Sequence, residues 1–316
     1  MYSLRLLFDL NIKPLSNKKS LILVVGPTAV GKTDICLNLA KKFTTEIVSC
    51  DSRQFYRELN LGTAKPTPEE LQLVPHHLIN SLSIEDDYDV RKFEKEALNI
   101  LDEIFRNRNV AIMTGGSGLF ADAITKGLDE IPDVDPDIRK QLIGEFEGKG
   151  LEWLQAQVSG VDPEYFEQVD RQNPQRLMRA LEVFRGTGLK FSSFRVKKKV
   201  TRSFQIIKIG LDRDRDELYQ RIDFRMDQMI ASGLFDEADA LFGKRHLNAL
   251  QTVGYSEIFG FLEGKYDREE AIRLLKRNSR RYAKRQLTWF RRDEEIRWFH
   301  PEQLKEISAW ITAQMD

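Results

Sequence analysis

Cysteine is scarce in this 316-residue chain, which contains only Cys36 and Cys50. Neither residue belongs to a Cys-x-x-Cys pair, and one pair of cysteines cannot build a disulfide framework or a zinc finger. The composition therefore argues against a small disulfide-stapled secreted domain, and it fits a protein of a reducing compartment.

The chain also lacks net charge and long apolar runs. Its 49 basic residues balance its 49 acidic residues, so any surface that attracts a polyanion has to be local. No apolar run approaches the roughly 20 residues that a membrane-spanning helix needs. Residues 1–20 include LRLLFDL, but Asp9 interrupts this run and no small-residue cleavage site follows, so we interpret them as an untargeted N-terminal extension. We expect a cytoplasmic protein without a membrane anchor, acting as a monomer.

What the chain does contain is the composition and rhythm of a folded α/β protein. Hydrophobic residues make up 41% and charged residues 31%, as in folded globular domains and unlike disordered chains. LILVV (21–25), TEIVSC (45–50) and NVAIMT (109–114) have the character of buried strands, and helical patterns separate them. This alternation predicts an α/β fold with a parallel, doubly wound sheet, in which helices flank the sheet and ligands bind at the carboxyl ends of the strands.

The rhythm changes in the middle of the chain. After a proline-rich and acidic break at 126–140, only helical patterns occur until about residue 190, and FQIIKIGL (204–211) then returns to strand character. We predict a core of residues 21–126 and 200–316 with basic C-terminal helices, and an all-helical insertion of residues 127–199.

GPTAVGKT (26–33) follows the first strand and leads into the first helical pattern. Its Gly26-x-x-x-x-Gly31-Lys32-Thr33 spacing is that of the loop that cradles phosphates, in the strand–turn–helix context that this motif requires. Glycines let backbone N–H groups converge on an anion, Lys32 reaches the terminal phosphate, and Thr33 can bind Mg²⁺. The motif predicts a bound polyphosphate, ordinarily that of ATP or GTP, and leaves open which compound carries it.

A carboxylate follows a second predicted strand. NVAIMT leads into the glycine turn 114–118 without any carboxylate, whereas an NTPase normally has a metal-binding aspartate at the end of such a strand. Asp51 lies at the end of TEIVSC, and on general grounds a lone aspartate there is more often a turn residue or a helix cap. Beside a phosphate loop, however, the strand ends of an open parallel sheet face the ligand crevice. We therefore expect Asp51 to face the same cavity as Lys32 and to take part in chemistry near a bound polyphosphate, which does not favour simple NTP hydrolysis.

His76 and His77 are adjacent, so their side chains point in different directions. No carboxylate or cysteine lies at the spacing that a shared metal ion would need. This pattern favours a structural role, or a place at the edge of the substrate, over a metal site.

The segment LLKRNSRRYAKRQLTWFRRD (274–293) is basic and aromatic, with no acidic residue before Asp293. One helical stripe suited to packing against the core contains Leu275, Tyr282, Gln286 and Trp289. A charged run is usually a solvated face of mixed sign, but this run has no counter-charge in its own sequence, which favours a polyanionic partner. Because the arginines and glutamines occur without a duplex-reading motif, we expect a single-stranded RNA loop as the target.

Taken together, these segments resemble the tRNA dimethylallyltransferase family, also called tRNA isopentenyltransferases, over residues 21–293. Eukaryotic relatives often add a C-terminal zinc finger, which the two cysteines of this chain cannot supply, so the resemblance is to the bacterial type. It rests on the combination and order of these blocks: GPTAVGKT (26–33), DSRQFYRELNLGTAKP (51–66), VPHHLI (74–79), DDYDVRKF (86–93), GGSGLF (115–120), NPQRLMRALEV (173–183), QTVGYSEI (251–258) and RRYAKRQLTWFRR (280–292).

The resemblance implies a fold, namely an α/β P-loop NTPase-like core with a parallel sheet flanked by helices plus an all-helical insertion domain, and it also implies a reaction. A dimethylallyl group would pass from dimethylallyl diphosphate to the exocyclic amine of the adenosine on the 3′ side of the tRNA anticodon, with Mg²⁺ bound and diphosphate released. The phosphate loop would then hold the diphosphate of a prenyl donor, although its motif by itself suggests ATP binding. The insertion would grip the anticodon stem-loop.

Roles for individual residues follow from the same resemblance. Asp51 would be the general base, with Thr28 and Lys32 as the other catalytic residues and Thr33 as the metal ligand. The diphosphate would be bound by Gly26, Pro27, Thr28, Ala29, Val30, Gly31, Lys32 and Thr33. Transfer RNA would be contacted by Asp51, Ser52, Arg53, Gln54, Ser117, Arg139, Gln175, Arg176, Leu177, Met178, Arg179, Gln251, Thr252, Val253, Gly254, Tyr255 and Ser256.

Two positions depart from the family pattern. Ser117 stands where the family usually has threonine, which keeps the hydroxyl. Phe120 stands where the family usually has tyrosine, so any contact that needs that phenol is lost.

Other functions remain open at the level of sequence. An adenylate prenyltransferase acting on free AMP would share the phosphate loop and the aspartate, but it would need neither the insertion nor the basic C-terminal segment. A P-loop small-molecule kinase and a non-catalytic RNA-binding module are further alternatives. The intact Lys32, Thr33 and Asp51 argue against the latter.

Overall fold

The computed structural model describes residues 18–196 and 200–315. Within them six strands form one parallel sheet: β1 Ser20–Val25, β2 Ile47–Ser49, β3 His76–His77, β4 Val110–Gly115, β5 Gln205–Leu211 and β6 Arg297–Phe299. Their order across the sheet is β3-β2-β4-β1-β5-β6. The phosphate-loop strand β1 is therefore central, next to β4 on one side and β5 on the other.

Helices account for most of the remaining regular structure in the described residues. They are α1 Lys32–Phe43, α2 Pro68–Leu73, α3 Val90–Asn107, α4 Gly118–Lys126, α5 Pro136–Val161, α6 Pro163–Gln168, α7 Pro174–Thr187, α8 Phe191–Phe194, α9 Arg215–Ala231, α10 Leu234–Leu241, α11 Ser256–Leu262, α12 Arg268–Phe290 and α13 Leu304–Met315.

Both faces of the sheet are buried, which explains why its strands are continuous apolar runs. In β1, Ile22 and Val24 belong to the hydrophobic cluster on one face, and Leu21, Leu23 and Val25 belong to the cluster on the other. Helix α1 packs into the first cluster and α3 into the second. The predicted parallel sheet flanked by helices is confirmed.

Two strands were not predicted. Strand β3 has two residues and β6 has three, and both lie at the edges of the sheet. Segments this short contain too few residues to show an alternating or apolar pattern. Only pairing with β2 and β5 identifies them.

Residues 126–200 form one compact unit, and the described residues before and after them form the other. Helices α5, α6 and α7 each begin with a proline after the capping side chain of Asp135, Asp162 or Asn173, a start signal that is legible in the sequence. The core of this unit includes Leu142, Leu154, Val158, Leu177 and Leu181. The predicted helical character of the insertion is confirmed.

Two predicted segments lie partly or wholly outside the described residues. Of the N-terminal extension predicted over 1–20, only 18–20 are described, and Ser20 already begins β1. Residues 197–199 of the insertion are also outside. Among the helices that the structure does describe, none is both long and apolar enough to cross a membrane.

Candidate active site

The phosphate loop joins β1 to α1 through two glycines with positive φ angles. Gly26 has φ 151° and Gly31 has φ 108°, a region that residues with a Cβ atom rarely adopt. A Cβ atom on Gly26 would also lie 2.7 Å from the carbonyl oxygen of Leu211 in β5. Both the backbone conformation and the close approach of β5 therefore require glycine at the start of the loop.

Lys32, the first residue of α1, turns its ammonium group back towards the loop. Its Nζ donates to the carbonyl oxygens of Gly26 and Pro27, each at 2.9 Å. Burial lowers the pKa of Lys32 to about 8, against the opposing effect of the nearby Asp51 carboxylate, and Arg225 lowers it further. Within the described part of the chain this desolvated cation is hydrogen-bonded only to neutral carbonyls, which favours an anion in the loop.

Three arginines that sequence reasoning did not identify bond successive residues of the loop. Arg213 Nε donates to Val30 O at 2.9 Å, and Arg221 Nε donates to Ala29 O at 3.0 Å. Arg225 donates to the hydroxyl of Thr28.

Burial lowers the pKa of Arg225 to about 10, so its guanidinium stays charged at neutral pH. Arg221 and Arg225 are one helical turn apart in α9, the helix after β5. The sequence signal that could have identified these two arginines is their spacing of four residues in the helix that follows β5, a strand predicted to rejoin the sheet.

Gln286 connects the phosphate loop to the second glycine turn. Its Oε1 accepts from the backbone N–H of Thr28 at 2.9 Å, and its Nε2 donates to the carbonyl oxygen of Gly116 at 2.9 Å. Gln286 and Leu275 of the predicted α12 stripe are buried, and Tyr282 and Trp289 are half-buried. This stripe packs towards the core as predicted, and through Gln286 it also fixes Thr28.

Asp51 follows β2, where it stabilises a turn and also lines the cavity. Its Oδ1 accepts from the backbone N–H of Arg53 at 3.1 Å, and its own N–H donates to Ser49 Oγ at 3.3 Å. Its Oδ2 has no hydrogen-bond partner among the residues that the structure describes, and Asp51 lines the same cavity as Lys32. The turn interpretation and the chemical interpretation are therefore compatible, because one oxygen serves each.

The second glycine turn lies beside Asp51. Ser117 Oγ accepts from the backbone N–H of Ser52 at 3.0 Å and lies 3.0 Å from Ser52 Oγ. Burial, together with the nearby Asp51 carboxylate, raises the pKa of Tyr282 to about 12, so its hydroxyl remains protonated and able to donate. Burial also lowers the pKa of Arg53. Hydroxyls and a guanidinium thus surround the carboxylate.

One cavity of about 680 Å³ contains the loop and the carboxylate. The phosphate loop, Lys32 and Asp51 form one part of its wall, and α9 contributes Arg221 and the exposed Phe224. The segments 62–64 and 252–254 complete it. This size and this mixture of apolar and charged groups suit a small substrate with an anionic head.

Several residues predicted to contact tRNA lie around this cavity, and others have different contacts. Asp51, Arg53, Gln54 and Thr252–Gly254 line the cavity, while Gln251 and Ser256 are exposed. Tyr255 is fully buried and its hydroxyl donates to Glu237 Oε1 at 2.6 Å, so the expected tRNA contact through its side chain is not possible in this conformation.

The remaining predicted tRNA contacts belong to the unit 126–200. Gln175 and Arg176 are exposed on α7, whereas Leu177 and Met178 are buried in the core of the unit, so direct contact through these two side chains is excluded in this conformation. Two further predicted contacts, Arg139 and Arg179, both form an ion pair with Glu182, each at 3.2 Å.

The basic segment 274–293 has no acidic residue before Asp293 in its own sequence, but other parts of the fold supply counter-charge. Acidic residues distant in sequence pair with three of its cations: Arg280 with Asp223 at 2.5 Å, Lys276 with Asp227 at 2.6 Å, and Arg291 with Asp212 at 2.6 Å. Within the segment 274–293, the exposed cations that have no ion pair with another described residue are Arg281, Lys284, Arg285 and Arg292. The basic surface is thus narrower than the sequence indicates.

Three other residues considered in the sequence analysis have structural contacts. Phe120 packs between Phe55 and Phe93, with ring centroids 5.6 and 4.9 Å apart. His77 pairs with Glu46 at 2.7 Å, and His76 Nδ1 donates to the carbonyl oxygen of Val74 at 2.7 Å while its ring lines the cavity. In residues 18–196 and 200–315, no three His, Cys, Asp or Glu side chains group as metal ligands would.

A parallel α/β core with a phosphate loop after its central strand and a carboxylate in the same cavity defines a protein of the P-loop type. The family model described as IPP transferase matches residues 54–293. The chain belongs to the IPP transferase family.

Individual relatives match over nearly the whole chain. The tRNA dimethylallyltransferase of Cytophaga hutchinsonii is 52% identical, over 94% of this chain and 98% of the relative. The structure of a tRNA isopentenylpyrophosphate transferase from Bacillus halodurans is 37% identical with a TM-score of 0.70, over 94% of this chain and 97% of that one. A eukaryotic dimethylallyltransferase acting on tRNA is 27% identical with a TM-score of 0.70, over 86% of this chain and 70% of that one.

Proposed function

We propose that this protein transfers a dimethylallyl group from dimethylallyl diphosphate to the exocyclic amine of the adenosine next to the anticodon of tRNA. The observation that carries the proposal is one cavity containing both a phosphate loop and the Asp51 carboxylate. The 52% identity to a tRNA dimethylallyltransferase supports the substrate assignment. The similarity to a eukaryotic dimethylallyltransferase acting on tRNA adds to that support.

The donor diphosphate is assigned to the loop Gly26–Thr33, with Lys32, Arg221 and Arg225 supplying positive charge. The hydroxyl of Thr33 lies at the cavity and has no hydrogen-bond partner among the described residues, so it fits a Mg²⁺ ion shared with the diphosphate. When bound, the ion would stabilise the negative charge of the diphosphate.

The chemistry divides between the two ends of the site. An allylic carbon ionises readily, so the main task is to stabilise the departing diphosphate, and Lys32 and the loop N–H groups do this where negative charge develops. The acceptor amine is a poor nucleophile because its lone pair is shared with the purine. Asp51, through the oxygen not used in its turn, accepts the amine proton during attack. A single-stranded anticodon loop lets the adenosine leave its stack at low cost.

The anticodon stem-loop is assigned to two surfaces. One is the exposed α12 stripe of Arg281, Lys284 and Arg285, in which the second and third residues lie three and four positions after the first and thus on the same side of the helix, together with Arg292 just after the helix ends. The other is the unit 126–200, whose exposed side chains include Gln175 and Arg176. We further assign the enzyme to the cytoplasm and expect it to act as a monomer.

Replacing Arg281 and Arg285 by alanine is expected to weaken tRNA binding and to lower the slope of log affinity against log salt. Each lost phosphate contact should lower that slope by about one unit, since fewer counterions are released. The matched control is Arg273→Ala, which removes a cation from the same helix that is already paired with Glu270 at 2.6 Å. Equal slopes for the wild type and the double variant would identify the stripe as an ordinary solvated face.

The proposed reaction is tested by incubating the protein with labelled dimethylallyl diphosphate and Mg²⁺. Anticodon stem-loop RNA, AMP and buffer alone serve as parallel acceptors, and ATP with small-molecule acceptors tests for kinase activity. We expect label to appear in the RNA only. Transfer to AMP would identify an adenylate prenyltransferase, and phosphoryl transfer from ATP would identify a kinase.

A further inference from the structure

Glu237 of α10 makes four hydrogen bonds to two segments that are distant in sequence. Its Oε2 accepts from the backbone N–H groups of Asn60 and Leu61 at 3.2 and 3.0 Å. Its Oε1 accepts from the N–H of Gly62 at 3.2 Å and from the hydroxyl of Tyr255 at 2.6 Å. Burial and Glu237 both raise the pKa of Tyr255, so this phenol remains a donor. Both carboxylate oxygens are thus fully used as acceptors.

The two segments held by Glu237 are two walls of the cavity. Residues 62–64 and 252–254 line it, whereas Glu237 does not. They are also in direct contact: a Cβ atom on Gly62 would lie 2.5 Å from the Tyr255 ring, and one on Gly254 would lie 3.3 Å from Gly62 O. Glycine at these two positions permits the contact, and Glu237 holds the segments in register from behind.

A chain of hydrogen bonds leads from the first wall to Asp51. Gln54 Nε2 donates to the carbonyl oxygens of Thr63 and Ala64 at 3.3 and 3.2 Å. Gln54 Oε1 accepts from Ser49 Oγ, and Ser49 Oγ accepts from the backbone N–H of Asp51, both at 3.3 Å. The position of the 60–64 segment therefore influences the backbone position of Asp51, the proposed general base.

We propose that Glu237 is a positioning residue for prenyl transfer, which sets the acceptor side of the cavity and, through Gln54, the placement of Asp51. This inference rests on the proposed function. The donor side is held independently, because the phosphate loop is bonded by Arg213, Arg221 and Gln286. Replacing Glu237 should therefore change kinetic constants that depend on the RNA and leave the KM for dimethylallyl diphosphate unchanged.

Glu237→Gln keeps the shape of the side chain but replaces one acceptor oxygen by an N–H₂ donor, which opposes a backbone N–H or the Tyr255 hydroxyl. We expect kcat to fall about 10-fold to 100-fold, as for a small displacement of a catalytic group, and the KM for stem-loop RNA to rise. The KM for dimethylallyl diphosphate should stay within about 2-fold of the wild-type value, since the loop is fixed by other residues.

The matched control is Glu58→Gln. Glu58 is also a half-buried glutamate that anchors a loop, accepting from Ser83 Oγ at 2.7 Å and Ile84 N–H at 3.1 Å, but that loop does not line the cavity. Both variants should lose thermal stability, and only Glu237→Gln should change kcat. If both variants lose the same amount of thermal stability and both keep wild-type kinetics, Glu237 has only a structural role and the inference is wrong.

Tyr255→Phe provides a second test, which also applies if Glu237→Gln does not fold. It removes one of the four hydrogen bonds of Glu237. We expect a smaller fall in kcat than in Glu237→Gln, a higher KM for stem-loop RNA, and again no change in the KM for dimethylallyl diphosphate. Wild-type kinetics for this variant would overturn the inference. A wild-type protein that transfers no label to RNA would instead refute the proposed function, so the two failures are distinguishable.

Discussion

Replacing Asp51 by asparagine is expected to lower the single-turnover rate of prenyl transfer about 10²-fold to 10⁴-fold, the range for loss of a general base. Asparagine retains an oxygen that can accept from the N–H of Arg53, so the turn after β2 is preserved. The loss should appear in kcat, with donor and tRNA affinities nearly intact, because proton transfer matters mainly in the transition state. The measurement is the rate at saturating substrates over a range of Mg²⁺ concentrations.

Other roles for Asp51 predict different results. A residue that only shapes the turn would lose about 1 kcal/mol of stability and keep near-normal turnover. A metal-shell residue would show activity restored by high Mg²⁺. Asp267→Asn is the matched control, since Asp267 caps α12 by accepting from the N–H of Glu270 at 2.8 Å and does not line the cavity. Wild-type turnover of the Asp51 variant would refute its role as a base.

Lys32→Ala is expected to reduce kcat by about 10² to 10³ and to weaken donor binding, because a cation that stabilises the departing diphosphate is lost. Affinity for the stem-loop RNA should barely change. The control is Lys41→Ala, an exposed lysine of the same helix that does not line the cavity. An equal loss of RNA affinity in the Lys32 variant would contradict the assignment of Lys32 to the donor.

The dependence of donor binding on pH provides a second measurement on Lys32. Its pKa is lowered to about 8, so in the free protein the ammonium loses its proton as the pH rises through that value. The diphosphate prefers the charged form, so donor affinity should decline above pH 8 in the wild type. In the Lys32→Ala variant this decline should be absent. Calorimetric titration with inorganic diphosphate from pH 7 to 9.5 distinguishes the two.

The central part of the fold was predictable because its signals are local. Strands β1, β2, β4 and β5 are apolar runs, and the caps and prolines that begin α5 to α7 are adjacent in sequence. The glycines of the phosphate loop specify a backbone conformation that few other residues adopt. The placement of Asp51 followed from one rule, that parallel strand ends meet at one edge of the sheet.

The basic segment has ion-pair partners that could not be predicted from its own sequence. Its sequence contains no acid before Asp293, yet Arg280 and Lys276 pair with aspartates of α9 that lie about 50 residues earlier. Tyr255 is a comparable case, since its position in a motif suggested a substrate contact and its burial against Glu237 excludes one through the side chain.

By itself, the sequence determined the parallel core, the helical insertion, the phosphate loop and the candidate base, because each depends on neighbouring residues or on a general rule of strand order. Only the tertiary structure showed that Arg213, Arg221 and Gln286 bond the phosphate loop and that Glu237 joins two walls of the cavity. The contacts of the phosphate loop join residues at least 183 positions apart, and Glu237 bonds residues 175 to 177 positions before it as well as Tyr255, 18 positions after it. A hydrogen bond requires its two groups to lie within about 3 Å, and only packing of the whole chain brings them that close.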